Sequence, residues 1–212
     1  MIFSLEGNIG SGKSTLVNDL KVKLPKTIKG KSLIFLQEPV ELWSKIKQDG
    51  KDIIQLFYED KVKYAFPFQM LAYISRLNII NEIIKENPDS IIISERSVYT
   101  DCNVFAKMLH DENLINMAEF QIHKLWFDSF EKNLTKHRFI FLNTNAQECL
   151  KRIKKRARNG EQEINETYVK TCEYYHINWL KNYNSQVVCN LDDGLFLEDK
   201  VKLMYDYISS CL

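Results

Sequence analysis

A glycine-rich segment near the amino terminus has the residue types and spacing needed to bind a polyphosphate. Glycines let a backbone curl so that successive N–H groups point at phosphate oxygens, and a helix that follows adds the positive end of its dipole. A lysine after the last glycine can reach the β- and γ-phosphates, and the next hydroxyl can bind Mg²⁺. The segment has the form Gly-x-x-x-x-Gly-Lys-Ser and consists of Gly7, Asn8, Ile9, Gly10, Ser11, Gly12, Lys13, Ser14 and Thr15.

The position of this segment argues against a chance glycine-rich turn. It follows the apolar run 2–5 and precedes residues 16–20, which have helical spacing. A strand, a glycine-rich loop and a helix in this order form the setting in which a phosphate loop works. The sequence therefore predicts a nucleotide-phosphate site in which Lys13 contacts phosphate and Ser14 binds Mg²⁺.

An acidic residue, Glu38, stands before Pro39 just after a second apolar run. The proline stiffens the backbone at this point. A carboxylate held there could be a general base that takes the proton of an attacking hydroxyl while the phosphate loop holds the γ-phosphate. Taken alone, the pair is better explained as a surface glutamate beside a turn proline. The catalytic interpretation therefore needs support from other parts of the chain.

A third apolar run ends at Glu95 and Arg96, which place an acid and a guanidinium side by side. Glu95 is positioned as a second Mg²⁺ partner, directly or through water. Arg96 can neutralise charge that develops between an acceptor hydroxyl and the γ-phosphate. The alternative is an ion pair at the start of a helix. Because the carboxyl ends of neighbouring parallel strands meet in one crevice, the functional interpretation is favoured.

A concentrated basic segment, residues 151–158, ends shortly before Gly160. Lysine and arginine suit the carboxyl end of a helix, so a solvated helix end is one interpretation. The other is a mobile lid over about residues 154–164, with Gly160 as its flexible point. The bunching of Arg156 and Arg158 just before this glycine favours a lid whose arginines close on a triphosphate.

Apolar runs alternate with segments of helical spacing along the 212 residues, and no Pro-, Gly- or Ser-rich linker divides them. This predicts one α/β domain over residues 1–212. Strands are predicted at 2–5, 33–36, 91–93, 139–142 and 186–190. The runs lack polar alternation, so we expect a five-stranded parallel sheet flanked by helices on both faces. Helices are predicted at 53–85, divided in two at Pro67, and at 99–109, 118–134, 146–156, 166–182 and 197–209.

The composition excludes several classes of function. Lys and Arg number 29 against 28 Asp and Glu, so the chain lacks the basic field that non-specific nucleic-acid binding requires. Five scattered cysteines without a Cys-x-x-Cys pair indicate reduced thiols and no zinc. No apolar run approaches the roughly 18 residues of a membrane span. The first strand begins next to Met1 and leaves no room for a leader, so we expect a cytoplasmic protein unless a leader has been removed.

Several motifs together resemble the eukaryotic and viral deoxynucleoside kinases, the family of deoxycytidine kinase, deoxyguanosine kinase and the insect multisubstrate kinase. They keep family order and spacing over nearly the whole chain: 6–15 (EGNIGSGKST), 38–43 (EPVELW), 67–69 (PFQ), 95–99 (ERSVY) and 156–162 (RARNGEQ). The resemblance implies a P-loop kinase fold, a homodimer built on long helices, and phosphorylation of a deoxynucleoside at its 5′-hydroxyl with ATP and Mg²⁺. It implies that Glu38 is the general base and that Arg96 lies beside that hydroxyl.

The same resemblance assigns residues to the two ligands. Tyr58 and Glu161 would hold the sugar 3′-hydroxyl, and Gln69 would hydrogen-bond the base edge. Trp43 and Phe105 would flank the base, although without the resemblance both are interpreted as core residues. The residues that correspond to the adenine sandwich of ATP are Arg152 and Phe196. The loop before Phe196 is one residue shorter than in deoxycytidine kinase.

One charged pair, Arg76 and Asp101, discriminates within the family. Deoxycytidine and deoxyguanosine kinases carry this Arg and Asp, whereas the thymidine-preferring branch and the insect enzyme are uncharged there. The pair would crowd a thymine methyl group and offer polar partners to an exocyclic amino group or to purine N7 and O6. We therefore predict deoxyadenosine, deoxyguanosine and deoxycytidine as substrates over thymidine. The alternatives are a helix-surface arginine and a helix N-terminal acid.

Two rival functions remain for comparison. A nucleoside monophosphate kinase would have to place an acceptor phosphate beside Glu38, and the two negative charges repel. A non-catalytic structural subunit of the same fold would not need Lys13, Ser14, Glu38 and Arg96, all of which are present.

Overall fold

A computed structural model describes residues 1–132, 134, 136–183 and 187–212. In chain order its strands are β1 (Ile2–Glu6), β2 (Thr27–Ile28), β3 (Lys31–Leu36), β4 (Lys47–Gln48), β5 (Lys51–Asp52), β6 (Ile91–Glu95), β7 (His137–Asn143) and β8 (Val188–Asp192). The central sheet has the order β2-β3-β6-β1-β7-β8, and β4 pairs with β5 in a separate hairpin.

The predicted parallel sheet is confirmed, with one correction to its size. Strands β3, β6, β1, β7 and β8 pair in parallel. The predicted number of five strands is wrong, because β2 adds a sixth, antiparallel to β3 at the edge. Its two residues are too few to give an apolar period in the sequence. The last strand was predicted at 186–190; Gln186 lies outside the described residues, and β8 begins at Val188.

Helices cover both faces of the sheet, as predicted. In chain order they are α1 (Lys13–Lys23), α2 (Val40–Trp43), α3 (Ile53–Glu59), α4 (Lys61–Glu86), α5 (Val98–Thr100), α6 (Lys107–Asp111), α7 (Met117–Glu131), α8 (Ala146–Arg156), α9 (Glu166–Leu180) and α10 (Leu197–Cys211). Neighbouring residues of a strand point to opposite faces. Phe3 of β1 therefore shares one core with Leu20 of α1 and Met204 of α10, whereas Ile2 packs with Ile80 of α4. None of the helices in the described ranges is apolar over a length that would cross a bilayer.

The predicted division of the segment 53–85 into two helices is confirmed, but its predicted position at Pro67 is wrong. The break falls at Asp60, whose side chain accepts a hydrogen bond from the Lys63 N–H at 3.1 Å and so caps α4. Pro67 lies inside α4, where it removes one backbone donor. The buried face of α4 continues past it, from Ala65 through Gln69, and this packing holds the helix together.

A π-helical segment, Asp101–Ala106, joins α5 to α6 within the region where the sequence predicts one helix. Such wide turns are rare and often occur at functional sites. A single 3₁₀ turn, Glu161–Glu163, precedes α9.

The register of the sheet brings the predicted site residues to one edge. Leu5 of β1 lies opposite Glu95 of β6, and Leu36 of β3 lies opposite Ser94. The phosphate loop follows β1 and Glu38 follows β3. The carboxyl ends of these three adjacent strands therefore meet, which is the geometry expected of a ligand site in an open α/β sheet.

Candidate active site

The loop from Gly7 to Gly12 has the backbone conformation of a phosphate loop. Gly7, Gly10 and Gly12 have φ angles of 146°, 78° and 96°, in a region that residues with a Cβ rarely adopt. A Cβ at Gly10 would lie 2.5 Å from the carbonyl oxygen of Cys149 in α8. Helix α1 begins at Lys13, directly after the loop, so its amino end faces the same space. Glycine is required at Gly10 by both backbone conformation and close packing.

Replacing Gly10 with alanine is expected to lower the free energy of unfolding by more than the same change at Gly30. Both residues have a φ of 78°, and a Cβ at Gly30 would meet no atom within 4 Å. Gly30→Ala should therefore cost about 1–2 kcal/mol from left-handed strain alone. Gly10→Ala adds crowding against Cys149, typically about 1–3 kcal/mol more. Urea denaturation of both variants measures the difference, and equal losses would contradict the crowding.

Lys13 is buried beneath the loop. Its Nζ donates to the carbonyl oxygens of Gly7 at 3.1 Å and Asn8 at 2.7 Å. The amide of Asn8 donates to the Val169 carbonyl of α9 at 2.9 Å, which ties the loop to the rest of the fold. Burial, reinforced by the Arg96 guanidinium, lowers the pKa of Lys13 to about 7. A polyphosphate beside Nζ would favour the charged ammonium.

Ser14 and Glu95 are placed to share a cation. The Ser14 hydroxyl donates to Oε1 of Glu95 at 2.7 Å. Neither here nor elsewhere in the described ranges do three His, Cys, Asp or Glu side chains cluster as metal ligands would. Magnesium keeps several waters and phosphate oxygens and needs only one or two protein oxygens. The two side chains therefore fit Mg²⁺ bound with a polyphosphate, as the sequence predicts.

Glu38 lies between two guanidinium groups. Its Oε1 is 2.9 Å from Nη2 of Arg76 and 3.3 Å from Nε of Arg96, and its side chain is 20% exposed. Burial alone would raise the pKa of Glu38, but the charges of Arg96 and Arg76 outweigh it and hold the pKa below the ordinary glutamate value. The carboxylate is therefore ionised at neutral pH and faces the cavity.

Arg76 joins three predicted site residues in one network. Its Nε donates to Oδ2 of Asp101 at 3.0 Å, its Nη1 to the Glu95 carbonyl at 2.9 Å and its Nη2 to Glu38. The predicted pairing of Arg76 with Asp101 is thus present, and the contact with Glu38 was not predicted. Although burial would lower the pKa of Arg76, Asp101 and Glu38 raise it, so the guanidinium stays charged.

Arg96 has an uncommon backbone conformation. Its φ is 62°, the left-handed region that non-glycine residues seldom occupy. The preceding Ser94 hydroxyl donates to the Arg96 carbonyl at 2.9 Å, and the guanidinium lies 4.9 Å from the centre of the Phe105 ring. Residues held in this region often lie at functional sites, where the surrounding structure maintains the strain.

Glu6, for which the sequence predicts no role, supports the backbone conformation at Arg96. It lies buried at the end of β1 and accepts hydrogen bonds from Ser97 at 2.6 Å and from Thr100. These contacts fix the start of α5, immediately after Arg96. Burial raises the pKa of Glu6 despite these bonds. The only signal in the sequence was its place at the start of the first motif.

A cavity of about 520 Å³ lies above the strand ends. The predicted site residues that line it are Ile9, Gly10, Ser14, Glu38, Trp43, Tyr58, Gln69, Arg76, Glu95, Arg96, Asp101, Phe105, Arg156, Arg158 and Glu161. Tyr168 of α9 also lines it and packs edge-on against Tyr58, with ring centres 6.2 Å apart. No pattern in the sequence predicts a ligand contact for Tyr168, because an aromatic residue on a helix is usually a core residue.

The inner part of the cavity combines aromatic walls with an unpaired amide oxygen. Trp43 packs edge-on against Phe68, and its Nε1 donates to Ser75 at 2.9 Å. Gln69 is buried, and its Oε1 has no hydrogen-bond partner among the described residues. An unpaired buried carbonyl is costly unless a ligand donates to it. This wall is therefore suited to a flat, polar-edged ligand.

The predicted lid adopts a definite arrangement. Helix α8 ends at Arg156, whose Nε and Nη2 bind the two carboxylate oxygens of Glu161 at 3.1 and 2.6 Å. Arg158 lies 3.6 Å from the same carboxylate. Gly160 has a φ of 84°, and a Cβ there would lie 2.9 Å from Cα of Gln55 in α3. Arg156 and Arg158 line the cavity, and the lid packs against α3, the helix that carries Tyr58.

The two residues assigned to the adenine differ in their surroundings. Arg152 binds the carboxylate of Asp193 through Nη1 at 3.1 Å and Nη2 at 2.7 Å, and Nη1 also donates to the Ser11 carbonyl. It therefore lies against the phosphate loop. Phe196 is 78% exposed just before α10. Neither residue lines the cavity, and their assigned contacts stay predictions. The same holds for the phosphate-loop residues outside the cavity lining, which are Gly7, Asn8, Ser11, Gly12, Lys13 and Thr15.

Comparisons with known proteins agree over most of the chain. The sequence model of the family described as deoxynucleoside kinase matches residues 3–205. The chain is 32% identical to deoxycytidine kinase of Mus musculus over 198 residues, covering 84% of this chain and 74% of that protein. It is 31% identical to the probable deoxycytidine kinase of Fowlpox virus, covering 97% and 87%, and 27% identical to mitochondrial deoxyguanosine kinase of Xenopus laevis, covering 87% and 74%.

Proposed function

The chain belongs to the deoxynucleoside kinase family of enzymes, which phosphorylate deoxynucleosides in nucleotide salvage, and we propose that it transfers the γ-phosphate of ATP to the 5′-hydroxyl. The observation that carries this proposal is the position of ionised Glu38 on a cavity wall shared with Ser14, Glu95 and Arg96. Phosphoryl transfer depends mainly on positioning and charge stabilisation. In this proposal Glu38 is the proton acceptor and the Arg96 guanidinium is the positive charge. Ser14 and Glu95 are the ligands for Mg²⁺.

Glu38 accepts the proton of the 5′-hydroxyl in this mechanism. Because its pKa lies below the ordinary glutamate value, Glu38 is a weak base. Its contribution is to lie within reach of the hydroxyl, which loses its proton to the carboxylate as the new O–P bond forms. Arg96, with its Nε 3.3 Å from Glu38, stabilises the negative charge that develops between the acceptor oxygen and the phosphate.

The phosphate loop and the lid form the donor side. Lys13 and the loop N–H groups would bind the β- and γ-phosphates, and Ser14 and Glu95 would hold Mg²⁺. When bound, the ion neutralises charge on the phosphate oxygens. Arg156 and Arg158 would close on the triphosphate from the lid. On the outer side of the loop, Arg152 and Phe196 are the residues proposed to flank the adenine.

The deoxynucleoside occupies the inner part of the cavity. Gln69 would use its unpaired Oε1 to accept from an amino group or ring N–H of the base. Trp43 and Phe105 would flank the base. Tyr58 and Glu161 would hold the 3′-hydroxyl, and because Glu161 also binds Arg156, sugar binding and lid position are linked.

The buried pair Arg76 and Asp101 favours deoxycytidine, deoxyadenosine and deoxyguanosine over thymidine. Both side chains line the cavity, and two hydrogen bonds join them. A thymine methyl group would have to lie against this charged pair, whereas an amino group or a purine acceptor could hydrogen-bond with it.

A substrate panel tests this proposal. We expect each of deoxycytidine, deoxyadenosine and deoxyguanosine to give a higher kcat/KM than thymidine with ATP and Mg²⁺, and deoxycytidine 5′-monophosphate to accept no phosphate. Thymidine as the best substrate would contradict the proposed role of Arg76 and Asp101. Phosphorylation of the monophosphate in preference to the nucleoside would support a nucleoside monophosphate kinase instead.

We further propose a homodimer built on α4 and α7. The outer face of α7 exposes Ile122, Leu125 and Trp126, and α4 exposes Ile74. Contiguous apolar side chains on a surface usually mark an interface. Sedimentation should give the mass of two chains, and Trp126→Glu should shift it to that of one chain. Tyr174→Glu, at an exposed position of α9, should not change the mass. A wild-type monomer would contradict the proposal. A cytoplasmic location and the lack of a nucleic-acid partner stay predictions from the sequence.

A further inference from the structure

A buried histidine outside the predicted set contacts the guanidinium of Arg96. His176 of α9 is fully buried, and its Nε2 lies 3.2 Å from Nη1 of Arg96. Its Nδ1 lies 2.7 Å from the carbonyl oxygen of Cys172, one helical turn earlier. The two residues in contact are 80 positions apart in the chain, so no local pattern links them.

The chemistry of the two partners determines the state of this imidazole. A guanidinium can only donate, so Nε2 must accept from Arg96. A carbonyl can only accept, so Nδ1 must carry the proton that it donates to Cys172. His176 is therefore the neutral Nδ1–H tautomer. Burial, followed by the charge of Arg96, lowers the pKa of His176 well below its usual value and favours this neutral form.

The imidazole completes a set of contacts that surround the Arg96 side chain. Nε faces Glu38 at 3.3 Å, the ring of Phe105 lies 4.9 Å from the guanidinium carbon, and Nη1 meets His176. Phe105 and His176 also pack edge-on, with centres 6.1 Å apart. Glu38 neutralises the guanidinium charge, and Phe105 makes no hydrogen bond with it. Of these three residues, only buried His176 holds the guanidinium by a hydrogen bond and leaves its charge in place. A carboxylate there would compete with the phosphate for Arg96.

We propose that His176 is a positioning residue that aims the Arg96 guanidinium at the reacting oxygens by accepting a hydrogen bond from Nη1. The inference rests on the proposed role of Arg96 in the transfer step. The interaction matters most in the transition state, when Arg96 meets the developing charge, so its loss should appear in kcat and not in KM.

His176→Leu and His176→Gln provide the test, because both fill the space and only glutamine keeps an acceptor near the Nε2 position. We expect His176→Leu to lower kcat about 10-fold to 100-fold, the range for hydrogen bonds to charged groups, with KM for deoxycytidine and ATP within about threefold. His176→Gln should recover most of the loss. His123→Leu, which removes another fully buried imidazole that does not line the cavity, should leave kcat unchanged.

The same change in an Arg96→Ala background separates this inference from the proposed function. There, His176→Leu should have no further effect on kcat, because its partner is absent. A full additional loss, an unchanged kcat in His176→Leu or no recovery in His176→Gln would overturn the role of His176 alone. An unchanged kcat in Arg96→Ala would overturn the role of Arg96 and this inference with it.

The tautomer of His176 can be measured in the unmodified enzyme, so this test does not depend on the folding of a variant. Nitrogen-15 NMR of the histidine side chains should show His176 protonated at Nδ1 and unprotonated at Nε2 across neutral pH. An Nε2–H tautomer or a charged imidazolium would overturn the proposal, because neither can accept from Arg96.

Discussion

Replacing Glu38 with glutamine is expected to lower kcat by about two to four orders of magnitude, the usual contribution of a general base. Glutamine keeps the size and one carbonyl acceptor for Arg76 and Arg96 but cannot take a proton. The loss should be measured as kcat at saturating deoxycytidine and ATP. KM should change less, because the side chains that bind the base and phosphates remain.

The matched control is Glu59→Gln, an exposed glutamate that pairs with Lys51. It should leave kcat unchanged. Thermal unfolding of both variants shows whether Glu38→Gln has lost structure, since Arg76 and Arg96 lose a buried counter-charge. A folded Glu38→Gln enzyme with wild-type kcat would exclude the general-base role, although the family assignment would stand.

Removing the charged pair by Arg76→Met with Asp101→Ala is expected to raise the kcat/KM of thymidine relative to deoxycytidine about 10-fold to 200-fold, the range for fitting one extra methyl-sized group. The double change makes room for the methyl and leaves no buried charge unpaired, whereas a single change typically costs about 3–5 kcal/mol of stability. The ratio of the two kcat/KM values is the measurement.

This variant should also become more sensitive to acid with every substrate. Arg76 helps to hold the pKa of Glu38 down through a direct contact of 2.9 Å, so removing it raises that pKa. Loss of the Asp101 charge acts in the opposite direction, but Asp101 has no direct contact with Glu38, so the loss of Arg76 dominates. In the proposed mechanism Glu38 acts only when ionised, so activity should be lost as pH falls through its pKa in the folded enzyme. The acid limb of kcat/KM should therefore move to higher pH.

Removal of the exposed pair of α7 by Lys124→Met with Asp128→Ala is the control, and it should change neither the ratio nor the acid limb. An unchanged substrate ratio in the Arg76 and Asp101 variant would exclude the pair as the determinant of specificity.

The sequence was most informative where function depends on consecutive residues. The phosphate loop could be predicted because its glycines, Lys13 and Ser14 lie within nine positions, and their roles follow from backbone geometry at each position. The parallel strands could be predicted from continuous apolar runs, since burial on both faces leaves no polar alternation. The sheet topology then brought Glu38 and Glu95 to the same edge.

The sequence was least informative where two local signals compete or where contacts join distant parts of the chain. Pro67 suggested a break, but the Asp60 cap and the continuous buried face of α4 decided its position. The antiparallel strand β2 was too short to show a period. The π-helical turn that carries Asp101 and Phe105 leaves no signal in residue types.

By itself, the sequence determined the α/β fold and the family, and by resemblance it predicted a nucleotide-phosphate site and the residues that would serve each ligand. Only the tertiary structure decided how those residues act on one another: Arg76 contacts Glu38 as well as Asp101, and His176 contacts Arg96. The physical reason is that the charge and direction of a buried side chain depend on its neighbours in space, and those neighbours lie 25 to 80 residues away in the chain.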